Sequence, residues 1–201
     1  MHFRHACVII EVVNNEGTME VATKELKTYE DYAKLPEGAP YQLIDGEFVM
    51  SPAPDLYHQD VSANIYDALK SLVRKRKLGK VYYAPVDVSL SEHNTFQPDI
   101  VFVSNERMHI LQGKRIVGAP DLVVEILSPT TGYYDLATKK DTYEAHGVKE
   151  YWVVDPKGKT IEVFENVNGR FVSIVKEREK GIVSSHLLAE LKLEVEEVFK
   201  A

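Results

Sequence analysis

The sequence has little cysteine and no long apolar run. Cys7 is its single cysteine, which excludes an internal disulfide and any zinc site built from several thiolates. No stretch approaches the roughly 18 apolar residues that a membrane-spanning helix needs; Cys7-Val8-Ile9-Ile10 is apolar but stops at Glu11. No apolar segment runs into a small-residue cleavage site, so a signal-peptide pattern is missing as well. The expected location is the cytoplasm, with no membrane partner. Internal repeats and low-complexity segments are absent. Positive charge is scarce: 24 Lys and Arg against 31 Asp and Glu leave a net charge of -7. That balance argues mildly against a dedicated nucleic-acid binder, although carboxylates clustered around a divalent metal produce the same sign while one face stays basic.

What is present is ample core material: 44% of the 201 residues are hydrophobic, enough for one domain of ordinary size. The first 18 residues lack a clear link to the pattern that follows. Residues 1–27 read either as a leader ahead of a start at Met19 or as an extra N-terminal strand, since Val8 to Val13 has strand composition. Residues 28–201 read as a single domain. Thr28 and Asp31 form a capping box for a short helix that Pro36 ends. Asp45-Gly46 between two short apolar runs signals a hairpin. From Tyr57 to Leu78, Val61, Ile65, Ala68, Leu69, Leu72 and Val73 line one helical face, with Gly79 as the stop.

Strands are expected over Val81 to Leu90, Asp99 to Val103 and Asp121 to Leu127, the last buried on both faces. A helix from Tyr134 to His146, capped by Gly147, precedes a strand over Glu150 to Val154. A turn at Asp155–Gly158, a hairpin at Asn168-Gly169 and a docking segment from Leu188 to Phe199 complete the chain. The order predicts a mixed α/β (α+β) domain with one main sheet.

Two carboxylates stand out. Asp99 begins one strand directly after Pro98, and Glu125 sits near the end of the next, both in otherwise apolar surroundings. A carboxylate there is costly to bury unless it is paired or bound to metal. Two of them on neighbouring strands can share one hard cation such as Mg²⁺. The plain alternative is that Asp99 caps its strand and Glu125 pairs with a lysine; spacing alone leaves both readings open.

The surrounding residues go further. Tyr41-Gln42-Leu43-Ile44-Asp45-Gly46-Glu47, Ser51-Pro52 with His58, Gln97-Pro98-Asp99, Ala119 through Pro129, and Tyr134-Asp135, Lys139, Tyr143, then Gly147 through Pro156 together resemble the Uma-two family of the PD-(D/E)XK nuclease superfamily. The resemblance spans roughly Thr28 to Phe199. It implies a restriction-endonuclease-like core, a mixed β-sheet flanked by helices with an N-terminal helix and hairpin. It also implies a DNA endonuclease that hydrolyses phosphodiester bonds with Mg²⁺, for which Mn²⁺ can substitute. By the same resemblance Asp99 and Glu125 are the metal ligands, and the carbonyl of Ile126 is a third oxygen. The superfamily's lysine belongs two residues after Glu125, where this chain has Leu127. Lys139 on the following helix is the expected substitute; its other reading is a solvated lysine beside Lys140. The departure at Leu127 keeps a second possibility open, a nuclease-fold binding or regulatory module with little or no catalysis.

Supporting candidates follow. Glu47 reads equally as an extra acidic ligand or as an exposed strand carboxylate. His58 reads as a contact to phosphate or to the attacking water, or as a helix-start histidine held locally. Asp135, four residues before Lys139, is placed to orient it, and Gln97 is placed to line a cleft. The basic run Arg74-Lys75-Arg76-Lys77 reads as a solvated helix end more readily than as a DNA contact. Trp152 and Tyr151 read as core. A homodimer is expected, because two sites suit two strands.

Overall fold

The computed structural model describes residues 7–13, 19–128 and 134–200, with the backbone alone for 7–13, 19–23 and 134–136. The chain opens with two antiparallel strands, β1 (Cys7–Val13) and β2 (Met19–Glu25). Helix α1 (Tyr29–Tyr32) starts with the expected capping box between Thr28 and Asp31. Strands β3 (Tyr41–Ile44) and β4 (Glu47–Met50) meet at Asp45-Gly46. Those two residues take φ of 48° and 76°, the paired positive values of a tight hairpin turn, which Asp-Gly tolerates at low cost.

Helix α2 (Leu56–Arg76) is capped by Asp55, whose carboxylate accepts the His58 amide at 2.8 Å. Val61, Ile65, Leu69 and Val73 are its buried apolar residues, each stabilising by ~1.5–3 kcal/mol through burial. Its left-handed cap is Lys77, not the expected Gly79. Gly79 instead begins β5 (Gly79–Tyr83), and a Cβ there would sit 2.0 Å from the carbonyl oxygen of Val103. Glycine is required by that close approach of two backbones.

The chain continues through β6 (Asp87–Ser91), β7 (Asn94–Phe96), β8 (Ile100–Ser104), β9 (Leu111–Gln112), β10 (Arg115–Val117) and β11 (Leu122–Ile126). Then follow α3 (Tyr134–Ala145), β12 (Glu150–Asp155), β13 (Thr160–Val167), β14 (Arg170–Arg178), β15 (Ile182–Ser184), β16 (Lys192–Glu194) and α4 (Val195–Val198). Two six-stranded mixed sheets result, ordered β14-β13-β12-β11-β8-β5 and β4-β3-β7-β6-β10-β9. The expectation of one main sheet is therefore corrected. The run Val81 to Leu90, read as one strand, is divided at Pro85: β5 belongs to the first sheet and β6 to the second.

Alternation along the first sheet builds two cores. Ile100, Phe102, Leu122, Val124 and Trp152 pack on α2 and on the docking segment Leu188 to Phe199. Val101, Val103, Val123 and Tyr151 pack on the second sheet and on Tyr143 of α3. The register then sets which ends coincide. Ile100 pairs with Val124 in antiparallel fashion, and Ile126 pairs with Val154 in parallel. The start of β8, the ends of β11 and β12, and the turn that follows β12 thus share one end of the sheet. Arg178 pairs with Thr160, which brings the end of β14 there too. Gly79 pairs with Ser104 at the opposite end.

Candidate active site

Asp99 and Glu125 come together at that shared end. Period-two alternation directs Glu125 to the same face as Val123, over which α3 lies. The Asp99 carboxylate accepts the Ile126 amide across the β8–β11 pair at 2.7 Å. Glu125 is buried, and two donors from α3 meet it. The Tyr143 hydroxyl donates to Oε1 at 2.7 Å, and the Lys139 ammonium lies 3.3 Å from each carboxylate oxygen. Burial pushes the Glu125 carboxyl up, the Lys139 charge opposes this, and the neighbouring Asp99 carboxylate adds to it; the net direction is upward. Burial, reinforced by the Glu125 charge, raises the Tyr143 phenol well above its ordinary value, so it stays a neutral donor.

His58 projects from the first turn of α2. Its Nε2–H donates to the Ile126 carbonyl at 3.2 Å and lies 3.4 Å from Asp99 Oδ1. Its Nδ1 is buried and finds no partner among the described residues. Burial works against the imidazolium, but the Asp99 bond, the Asp99 charge and the Ile126 carbonyl outweigh it and raise the pKa. Asp99, Glu125, Ile126, His58 and Lys139 all line one cleft of about 430 Å³.

The other sequence candidates part company here. Gln97 lines the cleft, but its amide is spent on the Tyr32 hydroxyl at 3.2 Å and on Asp87 at 3.0 Å. Glu47 is exposed, pairs with Lys24, and is not among the cleft residues. Asp135 belongs to the backbone of α3, but its side chain lies outside the described residues. Leu127, where the resemblance leads to the expectation of a lysine, lines the cleft. Trp152 and Tyr151 are core, with exposures of 1% and 0%. The basic run at residues 74–77 ends α2, about 27 Å from His58 at 1.5 Å per residue, and Arg76 is paired with Glu190. Tyr143 has no role apparent from sequence alone, although its place four residues after Lys139 puts both on one helix face.

The donor set suits a hard divalent cation. Two carboxylates and a backbone carbonyl converge, and the repulsion between the carboxylates is what a cation relieves. Among the described residues no group of three His, Cys, Asp or Glu side chains is disposed to hold a metal ion. A cation here would therefore draw its remaining ligands from water and substrate oxygens, as Mg²⁺ commonly does.

Comparison with known proteins identifies the family and the fold. No curated protein matches the sequence. A solved structure described as a putative nuclease belonging to DUF820, from Anabaena variabilis, superimposes with a TM-score of 0.71 at 23% identity. The match covers 86% of this chain and 97% of that one, so the fold is shared along nearly the whole of both. Among the described residues no helix is long and apolar enough to cross a membrane. The family model described as "Putative restriction endonuclease" matches residues 26–196, and the chain belongs to that family, Uma2.

Proposed function

We propose that the protein is a Mg²⁺-dependent DNA endonuclease whose centre is Asp99, Glu125 and Lys139. The observation that carries the reading is the convergence on one buried carboxylate: Lys139 lies 3.3 Å from both oxygens of Glu125, and Tyr143 fixes Oε1 at 2.7 Å. Asp99 and Glu125, with the Ile126 carbonyl, would hold the cation. When bound, it supplies an activated water and neutralises charge developing on the phosphate. Lys139 is placed to donate to that water and to balance the two carboxylates. His58, bonded to the Ile126 carbonyl and near Asp99, would orient these two oxygens toward the cation.

The rival reading, a binding module without catalysis, rests on Leu127. Lys139 reaching Glu125 from α3 weakens it, because the cation absent from the strand is supplied from the helix. The test is cleavage of plasmid and linear DNA with added Mg²⁺ or Mn²⁺, comparing wild type with Asp99→Ala at matched circular dichroism. Loss of cleavage in the variant supports the assignment; undiminished cleavage overturns it. Calorimetry that detects no divalent binding at millimolar metal would favour the module instead. A homodimer belongs to the same reading, and light scattering that finds a monomer at micromolar protein would count against it.

A further inference from the structure

We infer that nucleic acid leaving the cleft is held by a second, basic hollow beside it, formed by the turn after β12 and the end of β14. This rests on the nuclease reading above. The hollow, about 500 Å³, carries Lys157, Lys159, Arg178 and Lys180, with Glu179 and Glu196. The two carboxylates are already engaged, Glu179 with Arg178 at 3.7 Å and Glu196 with Lys180 at 3.8 Å. Lys157 and Lys159 are exposed and have no ion pair among the described residues; the Asp155 carboxylate of the same turn is engaged by the backbone amides of Lys157 and Gly158, each at 3.0 Å, which leaves both ammonium groups free to meet a ligand.

Position makes this charge significant. The register places the hollow at the same end of the first sheet as Asp99, Glu125 and Ile126. The first turn of α2 lies between the two: Tyr57 donates its hydroxyl to the carbonyl of Phe199 at 3.0 Å, Phe199 lines the hollow, and the next residue, His58, lines the cleft. Two strand spacings of ~4.8 Å separate β11 from β13, about 10 Å. At 3.4 Å per phosphate along one strand, that is about three phosphates from the bond being cut. Among the described residues the cleft itself offers a backbone little positive charge, since Lys139 is its single Lys or Arg there and is buried against Glu125. The basic run at residues 74–77 lies at the far end of α2. Lysines on a turn fit a phosphodiester backbone as point charges without reading bases.

The test uses the whole protein and fluorescein-labelled duplex DNA in EDTA, with anisotropy read across a salt series. Lys157→Gln with Lys159→Gln should weaken binding roughly tenfold or more near 0.1 M salt, and should lower the slope of log K against log salt by about two. The same charge change at Arg74→Gln with Lys75→Gln should leave the slope unaltered. In steady-state cleavage the Lys157/Lys159 variant should raise KM with kcat retained. Equal slopes for wild type and the Lys157/Lys159 variant, in a protein that still binds and cuts DNA, would overturn this surface and leave the cleft assignment standing. A wild type that binds no DNA at low salt would overturn both.

Discussion

Replacing Lys139 with methionine isolates the electrostatics of the cleft. Lys139 and Glu125 are 6% and 7% exposed, so the substitution leaves a buried carboxylate with Tyr143 as its remaining donor and Asp99 as a like-charged neighbour. Removing one partner of a buried pair typically costs ~3–5 kcal/mol. For a domain of this size 1 kcal/mol moves the melting temperature by ~2–4 °C, so the metal-free variant should melt on the order of 10 °C lower. The loss should depend on pH in a definite sense. Burial already raises the Glu125 carboxyl, and Lys139 is the main influence holding it down; without the ammonium it rises further. A carboxylate whose folded pKa exceeds its unfolded value binds more protons in the folded state, so stability falls as pH climbs above the unfolded value. The deficit should be small at mildly acidic pH and grow toward mildly alkaline pH. Added Mn²⁺ should restore the missing positive charge and raise the melting temperature more in the variant than in wild type, while DNA cleavage stays impaired. Differential scanning fluorimetry at both pH values, with and without Mn²⁺, reads all of this. A variant that melts with wild type at both pH values, or gains no more from Mn²⁺, refutes the reasoning.

Tyr143→Phe removes a hydrogen bond to a charged group, worth ~1.5–3 kcal/mol, and should weaken Mn²⁺ binding by calorimetry as Glu125 loses its fixed orientation; unchanged stability and affinity would deny the tyrosine that role. Adding Leu127→Lys to Lys139→Met places an ammonium two residues beyond Glu125, on the same face of the chain, and should recover part of the cleavage; no recovery would show that the helix position cannot be replaced from the strand. Burial pushes Asp121 up, but the Lys149 ammonium and the Ser104 amide outweigh it and hold its carboxyl below the usual range. Its stabilisation is therefore present above the unfolded pKa and lost as pH falls through the folded one, so Asp121→Asn should cost ~1–3 kcal/mol in urea unfolding at neutral pH, with the gap to wild type closing in acid. Glu150 accepts from Trp152 Nε1, the His186 amide and the Leu187 amide; Glu150→Gln turns an NH₂ toward donors and should lower the urea midpoint by the equivalent of ~1–3 kcal/mol for each donor stranded.

Local features were the most legible in the sequence. Asp45-Gly46 and Asn168-Gly169 declare hairpins because their geometry needs positive φ at both positions, and Thr28 with Asp31 declares its cap because the bonds lie within one turn. Partition into two sheets was not legible. Val86, Val88 and Leu90 alternate as Val81 to Tyr83 could; Pro85 marks a break in the run, but nothing local says that its two halves take partners in different sheets. The C-cap of α2 was misplaced because Lys77 adopts the left-handed conformation, while the demand on Gly79 comes from Val103 across the sheet. At the site, Asp99 and Glu125 were visible through the blocks that flank them. The fate of the Gln97 amide depends on Tyr32 and Asp87 in other elements, and Glu150 is satisfied by amides 36 and 37 residues further on.

The acids of the cleft belong to strands, whereas the lysine and tyrosine that answer Glu125 ride together on α3. A 12-residue helix is marginal in isolation. Its hold on the sheet includes the Tyr143 ring, seated edge-on against Phe96 and tilted against Tyr151, the Glu144 carboxylate on the Phe171 amide, and Lys140 over the Phe164 ring. Detachment of that one helix would withdraw both donors at once and leave two carboxylates facing each other. The opening of α3 and the loss of the charged arrangement are thus a single event, and amide exchange along α3 would report how often the site is dismantled.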